Sequence, residues 1–366
     1  MLIDRRLAAH FDWRLAGLVL ALAAFGILTI YAGNAPSTSA FRRGLQLRQA
    51  MWLLVGVAAL AAACFIHYRT ISRFAYPLFG LCLVGLAIVL VAGRTGMGAQ
   101  RWLRLGPFSV QPSEVVKLGL ILFMARYFDD RREELDRPGV FLLPALLTLL
   151  IAGLVLKQPD LGTAILVSLT GGFLMVMVGL PLRYLAPVGI AAAAAAPVLW
   201  AFLKEYQRRR IIIFLNPDLD LLGAGYHVAQ SKIAVGSGGL LGKGWLGASQ
   251  SQLNFLPLNY TDFIFAVQAE QWGFLGSLAL VGAYAYLIAK ALAIAREAKD
   301  LFATLVATGV GGMFLFQVTI NVGMVTGLLP VVGVPLPLMS YGGSSLVTTL
   351  VAMGLLLNIH MRRFVY

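Results

Sequence analysis

Asp262 stands where a polar stretch, NFLPLNYTD, gives way to a long apolar run beginning FIFAVQAE. A carboxylate at such an edge is costly to hold, so it is either a helix N-cap or a working acid or base. A cap needs no charge, because Ser or Thr serves as well. Glu270 follows two turns on in the same run, flanked by Gln268 and Gln271, so a polar stripe enters the apolar region here. Three further stretches carry chemistry-bearing side chains. In RWLRLGPFSVQPSEVVKLG (101–119), Pro112-Ser113 opens a helix, and Glu114 and Lys117 become i,i+3 neighbours that can pair. Arg101, Trp102 and Arg104 precede them as an interfacial belt with groups that clamp phosphate. In KQPDLGTA (157–164), Asp160 ends a short hairpin and either caps the next helix or serves a site. EYQRRR (205–210) and GSGGLLGKGWLGASQSQ (236–252) place Arg210 and Lys243 in one long loop. The second of these is not a P-loop. In the pattern GxxxxGK[ST] ending at Lys243, Ser237 replaces the first Gly and Gly244 the final Ser/Thr. Its glycines serve plain turns or let the backbone come close to a partner such as a ligand.

The elements that must position these groups follow from composition. The chain has 366 residues, 59% hydrophobic and 12% charged, with a mean hydropathy of +0.82. A soluble domain carries about twice that charge. Apolar blocks cover about 15–32, 50–67, 73–92, 113–128, 139–156, 162–179, 183–203, 264–289, 301–324 and 344–360. Most are long enough for a helix to cross about 30 Å of hydrocarbon. The expected fold is an all-α integral membrane protein, a single polytopic domain over 1–366 with about ten transmembrane helices. The fourth block reaches only about 24 Å and should be buried by its neighbours. One large extracellular loop, about 204–263, separates the seventh and eighth spans. The Gly/Pro-rich stretch NVGMVTGLLPVVGVPLPLMSYGGSS (321–345), which includes Ser340, Tyr341 and Gly342, should fold back into the bundle as a re-entrant segment before the tenth span, or else is a long loop. The first span lacks a cleavage site and is not a signal peptide.

Net charge is +13. With both termini cytoplasmic, the 29 basic residues divide almost evenly between the two faces, so the usual inside excess is missing. Arg48, Arg101, Lys117, Arg210 and Lys243 fall on the outer side, where they neutralise headgroups or hold an anionic, phosphate-bearing ligand. No basic-aromatic module suits nucleic acid. Cys64 and Cys82 lie in apolar spans as small hydrophobes, and the four histidines form no metal motif. The sequence requires no cofactor and leaves a metal site undefined.

Taken together, QPSEVVKLG (111–119), KQPDLGTA (157–164), GSGGLLGKG with FLPLNYTDFIFAV (236–267) and PLPLMSYGGSS (335–345) resemble the SEDS family of bacterial cell-wall proteins, the group of RodA, FtsW and SpoVE. The pieces occur in the family's order along the whole chain, and the short tails are most similar to RodA. One departure is that Leu258-Asn259-Tyr260 stands where the family often has a Glu or another polar residue; Thr261-Asp262 is intact. The resemblance implies a peptidoglycan glycosyltransferase that polymerises lipid II, an undecaprenyl-diphosphate-linked disaccharide pentapeptide. It would work on the outer face of the bacterial cytoplasmic membrane, in cell-wall elongation and rod shape. The implied partners are a class B penicillin-binding protein and other cell-shape membrane proteins. Family knowledge carries the essential aspartate onto Asp262.

Such a reaction suits the inventory. A single carboxylate can take the proton from the attacking sugar hydroxyl, an effect of about 10²–10⁴ in rate. A glycosidase needs a second carboxyl to protonate its leaving alcohol. A diphosphate leaves with help from cations instead. Asp262 is therefore expected as the base of an inverting transfer. Arg48, Arg101, Gln111, Lys117, Asp160, Arg210 and Lys243 are the expected substrate-binding set, and Glu114, Thr261, Glu270, Ser340, Tyr341 and Gly342 support it. A divalent cation such as Mg or Mn would aid the diphosphate without being demanded by any motif. Two other classes stay open: a flippase of lipid-linked precursors, and a non-catalytic scaffold for the penicillin-binding protein.

Overall fold

The structure is a computed structural model that describes residues 10–35, 39–96, 99–105, 108–184, 194, 205–216, 223–253, 255–256 and 258–363. Eleven longer helices organise the described chain. They are α1 (Trp13–Asn34), α2 (Leu45–Phe65), α3 (Ala75–Ala92), α4 (Pro112–Asp130), α5 (Leu142–Lys157), α6 (Leu161–Val178), α7 (Glu205–Leu215), α8 (Ala224–Ser237), α9 (Ile264–Arg296), α10 (Leu301–Thr326) and α11 (Gly343–Arg362). Among the described residues eight helices are long and apolar enough to cross a membrane: α1, α2, α3, α5 with its leading turn, α6, α9, α10 and α11. They coincide with eight of the ten expected spans. The fourth expected span is α4, whose charged residues separate it from that set and whose side chains are almost all buried. That burial is what a short span with ionisable groups needs. The seventh, 183–203, lies almost wholly outside the described residues.

Charged caps set several helix starts at the bundle ends. Asp12 accepts from the Leu15 amide at 3.0 Å and Asp300 from the Ala303 amide at 2.8 Å. Each such cap stabilises a helix by about 1 kcal/mol. The core runs through α4, α10 and α11. α10 packs on α4, α6 and α9, α11 lies along α2, and α3 lies along α4. Most of α10 and α11 is buried, while α2 and α3 turn much of their surface outward, as helices facing lipid do.

One feature among the described residues departs from a purely helical reading. The segment after α3 forms a small antiparallel sheet, β1 (Arg94–Gly96), β2 (Ala99–Leu105) and β3 (Phe108–Val110), in that order. Arg94 pairs with Trp102, Leu103 with Val110 and Arg104 with Ser109. The expected interfacial belt is thus the middle strand. Its alternation sends Arg101 and Leu103 to one face and Trp102 and Arg104 to the other. The expected long loop is also structured: it holds α7, α8 and a short helical turn, Ser249–Gln252.

α9 is broken. Gly273 has φ 64° and ψ −161°, outside helical space, and divides the helix into a half-helix, 264–272, and a long limb. The break frees backbone groups that apolar surroundings cannot satisfy. The glycine-rich stretch supplies their partners. The Lys243 amide donates to the Glu270 carbonyl at 2.9 Å and the Gly244 amide to that of Gln271 at 3.0 Å. The Phe274 and Leu275 amides donate to the Gly239 and Leu240 carbonyls at 2.8 and 3.1 Å. A Cβ at Gly242 would lie 2.1 Å from the Gln271 carbonyl oxygen, so this position must be glycine. The close partner expected for these glycines is therefore the chain's own broken helix.

Candidate active site

Asp262 sits in a turn, 258–263, that leads into α9. Leu258 adopts a left-handed φ of 54°, an uncommon state for a side chain with a Cβ. This turn is clamped onto the 333–342 segment through backbone groups. Asn321, on α10, donates its amide to the Asp262 carbonyl at 3.0 Å and to the Val334 carbonyl at 2.7 Å. Ser340 Oγ donates to the Thr261 carbonyl at 2.7 Å and accepts from the Leu336 amide at 2.8 Å. The Tyr341 amide donates to the Tyr260 carbonyl at 2.8 Å. Gln49, on α2, closes the clamp: its Nε2 donates to the Ser340 carbonyl at 3.0 Å and its Oε1 accepts from the Gly342 amide at 3.1 Å. The Gly/Pro-rich segment is irregular, largely buried and held by helices on several sides.

The carboxylate of Asp262 points toward Gly333, where a Cβ would lie 3.5 Å from Oδ2. It is half-buried. Among the described residues no hydrogen bond reaches it, so its lone pairs are not committed to a protein donor there. Burial raises its pKa from the ordinary 3.8 to about 6; Arg210 and Arg101 oppose the rise, and Asp160 adds to it. At neutral pH the group is ionised yet more basic than a solvated carboxylate, which suits a general base.

Arg101 is fixed by the 157–160 hairpin. Its Nε donates to the Gln158 carbonyl at 3.0 Å, a terminal nitrogen donates to the Pro159 carbonyl, and the other lies 3.9 Å from Asp160 Oδ2. Asp160 is 3% exposed. It caps α6 through the Thr163 amide at 3.2 Å and accepts from Gln111 Nε2 at 3.2 Å. The hairpin is itself anchored where Gln158 Nε2 donates to the Leu86 carbonyl at 3.2 Å. The Gln111 amide donates to Ser344 Oγ at 3.0 Å, joining the starts of α4 and α11. The N-terminal turn of α6 abuts the Gly/Pro segment, because a Cβ on Gly162 would meet the Val332 carbonyl at 2.7 Å. Asp262, Asp160, Arg101 and Gln111 thus gather at one end of the bundle.

The remaining expected residues divide. Arg210 lies on α7 beside a crevice lined by Val228, Leu329 and Val331, and its charge acts on Asp262. Lys117 is not free to meet a ligand: it is 2% exposed and donates to both oxygens of Glu114 at 3.0 Å. Arg48 is exposed, with its guanidinium 4.8 Å from the centre of the Phe41 ring. Lys243 and Glu270 form a pair at 2.7 Å beneath the glycine-rich strap. Gln49 and Asn321 lie outside the expected site set, and Gln158 is expected there only as part of the hairpin. Their signal was a carboxamide in or beside an apolar run, which must find a partner when buried. Among the described residues no three His, Cys, Asp or Glu side chains converge as metal ligands.

Fold and site define a polytopic integral membrane protein with a candidate acid–base centre at one end of a helical bundle. The chain belongs to the FtsW/RodA/SpoVE family: the family profile described as "Cell cycle protein" matches residues 12–364. It is 41% identical over 358 residues to the peptidoglycan glycosyltransferase MrdB of Escherichia coli K12, covering 97% of this chain and 94% of that one. A probable peptidoglycan glycosyltransferase FtsW of Trichlorobacter lovleyi is 37% identical over 357 residues, covering 96% and 93%. Among solved structures, a chain from a peptidoglycan synthase complex that coordinates polymerization and crosslinking superposes with a TM-score of 0.82. Its identity is 38%, with 97% of this chain and 99% of that chain covered. The crystal structure of the rod shape determining protein RodA of Thermus thermophilus gives 0.71 at 35% identity, covering 97% and 98%.

Proposed function

We propose that this chain is a peptidoglycan glycosyltransferase that polymerises lipid II, with Asp262 as its general base. The observation that carries the reading is the half-buried Asp262 carboxylate, free of hydrogen bonds among the described residues and lying in the field of Arg210 and Arg101. Asp262 takes the proton of the acceptor sugar's 4-hydroxyl as that oxygen attacks the donor's anomeric carbon. The new carbon–oxygen bond forms on the face opposite the departing group, and the bond to the diphosphate oxygen breaks with its electron pair. The anomeric centre inverts, from the α-linked donor to a β-linked strand. Arg101 and Arg210 stabilise the charge that develops on the diphosphate. Asp160 and Gln111 hold Arg101 in place, and Thr261, Ser340, Tyr341 and Gly342 hold the turn that presents the base.

This end of the bundle is the extracytoplasmic one, and the membrane is the bacterial cytoplasmic membrane. Likeness to MrdB and RodA favours a role in elongation and rod shape, beside a class B penicillin-binding protein that crosslinks the strand. A divalent ion would aid the substrate's diphosphate, and no residue set among those described demands one. A flippase would spread its ionisable groups through the depth of the bilayer, whereas Asp262, Asp160 and Arg101 cluster at one end.

The test incubates the purified chain, with and without such a partner, with labelled lipid II. Wild type makes polymer and Asp262→Asn does not. Equal polymer from both removes Asp262 as the base, and movement of lipid II between leaflets without polymer favours the flippase.

A further inference from the structure

Lys243 entered as a candidate for binding substrate phosphate, but its surroundings give it different work. Glu270 is 0% exposed, and its Oε1 accepts three hydrogen bonds: from Lys243 Nζ at 2.7 Å, Ser249 Oγ at 3.2 Å and the Gln250 amide at 3.1 Å. Lys243 Nζ also donates to Ser249 Oγ at 3.0 Å. The Lys243 amide bonds the carbonyl of the same Glu270. Backbone and side chain of one lysine thus grip backbone and side chain of one glutamate. The grip falls at the C-terminal end of the half-helix 264–272, just before the hinge at Gly273. Asp262 lies at the other end, roughly 12 Å away along the axis. There the Asn321 and Ser340 bonds hold the backbone. The half-helix is therefore a short lever fastened at both ends.

We infer that Lys243 and Glu270 are positioning residues, a clasp between a surface lysine and a buried glutamate that holds the half-helix so that Asp262 meets the sugar hydroxyl in reacting geometry. This rests on the reading of Asp262 as base. Without the side-chain clasp only backbone bonds hold the end beside Gly273, and small rotations there load the Asn321 and Ser340 bonds that set the Asp262 backbone. A displacement of about 1 Å at the reacting group can cost about 100-fold in rate.

The experiment measures lipid II polymerisation kinetics and amide hydrogen exchange on the same folded preparations. Lys243→Met lowers kcat by about 10–100-fold and leaves KM for lipid II within about twofold. Lys243→Arg restores most of kcat. The double variant Lys243→Met/Glu270→Gln is no slower than the slower single variant, since the two act as one unit. Exchange in 264–272 quickens about tenfold in Lys243→Met while 301–326 is unchanged. A raised KM with unchanged kcat overturns the inference in favour of substrate binding, and unchanged kinetics and exchange overturn it outright. If wild type makes no polymer, the glycosyltransferase reading falls and exchange alone decides whether the clasp exists. If Lys243→Met does not fold, Ser249→Ala removes one of the three donors and should lower kcat about threefold at constant KM. No change in that variant also counts against the clasp.

Discussion

The side-chain amide of Asn321 donates to the main-chain carbonyl of Asp262 at 3.0 Å, while its second bond, at 2.7 Å, goes to Val334. One buried carboxamide on α10 therefore fixes the turn that carries Asp262, the proposed base, to the Gly/Pro-rich segment beside it. Asn321→Leu leaves both carbonyls without this donor in an apolar setting, at about 1–3 kcal/mol for each unsatisfied group. The expected outcome is a thermal midpoint lowered by several degrees in detergent and a kcat reduced by about 10–100-fold. Calorimetry and lipid II polymerisation on one preparation check both.

Arg101 has a guanidinium matched to three acceptors: the Gln158 and Pro159 carbonyls and the Asp160 carboxylate. A lysine cannot reproduce that planar fork, so Arg101→Lys should behave almost as badly as Arg101→Ala, with kcat/KM down about 10²–10³-fold. Arg101 also lowers the pKa of Asp262. Removing its charge therefore raises that pKa, and the acid limb of the rate profile moves to a pH above 6 in Arg101→Ala. Rates measured between pH 5 and 8 show whether the limb shifts in that direction.

Burial raises Asp262 to about 6 in the folded chain, against an ordinary 3.8. The folded state thus binds this proton more tightly than the unfolded state does. The stability that results is present in full below about 4 and is lost as pH rises through about 6. At neutral pH the ionised carboxylate is a net cost, at most on the order of 3 kcal/mol and reduced by solvent at a half-buried group. Asp262→Asn should accordingly be inactive but at least as stable as wild type at pH 7, with the difference closing near pH 4. Thermal midpoints of the two proteins across pH 4–8 supply the comparison.

What could be read from the sequence was mostly local. The Glu114–Lys117 pair and the Asp160 cap were legible because both span three residues of one helix. The apolar blocks located the helices, and the run after Asp262 located α9. Long-range partners were not legible. Gln49 bonds Ser340 and Gly342 nearly three hundred positions away, and an apolar run shows only that such an amide needs a partner. The glycines at 236–244 announced a close approach without saying to what; the answer was the freed backbone of α9 at Gly273. Sequence alone marks Arg101 as an interfacial residue with a group that clamps phosphate. Its fixing by hairpin carbonyls depends on β2 meeting the 157–160 turn, a tertiary contact with no sequence signature.

If Asp262 removes a proton in the step that joins two sugars, the rate of that step follows the ionisation of this one carboxyl group. The pH dependence of single-turnover polymerisation, measured for wild type and Asp262→Asn on the same lipid II, tests it most directly. The wild-type rate should rise tenfold per pH unit at low pH and level off with a midpoint about 6, while the variant should be about 10²–10⁴-fold slower and flat over that range. A variant that keeps the wild-type rate, or keeps the same acid limb, contradicts the assignment.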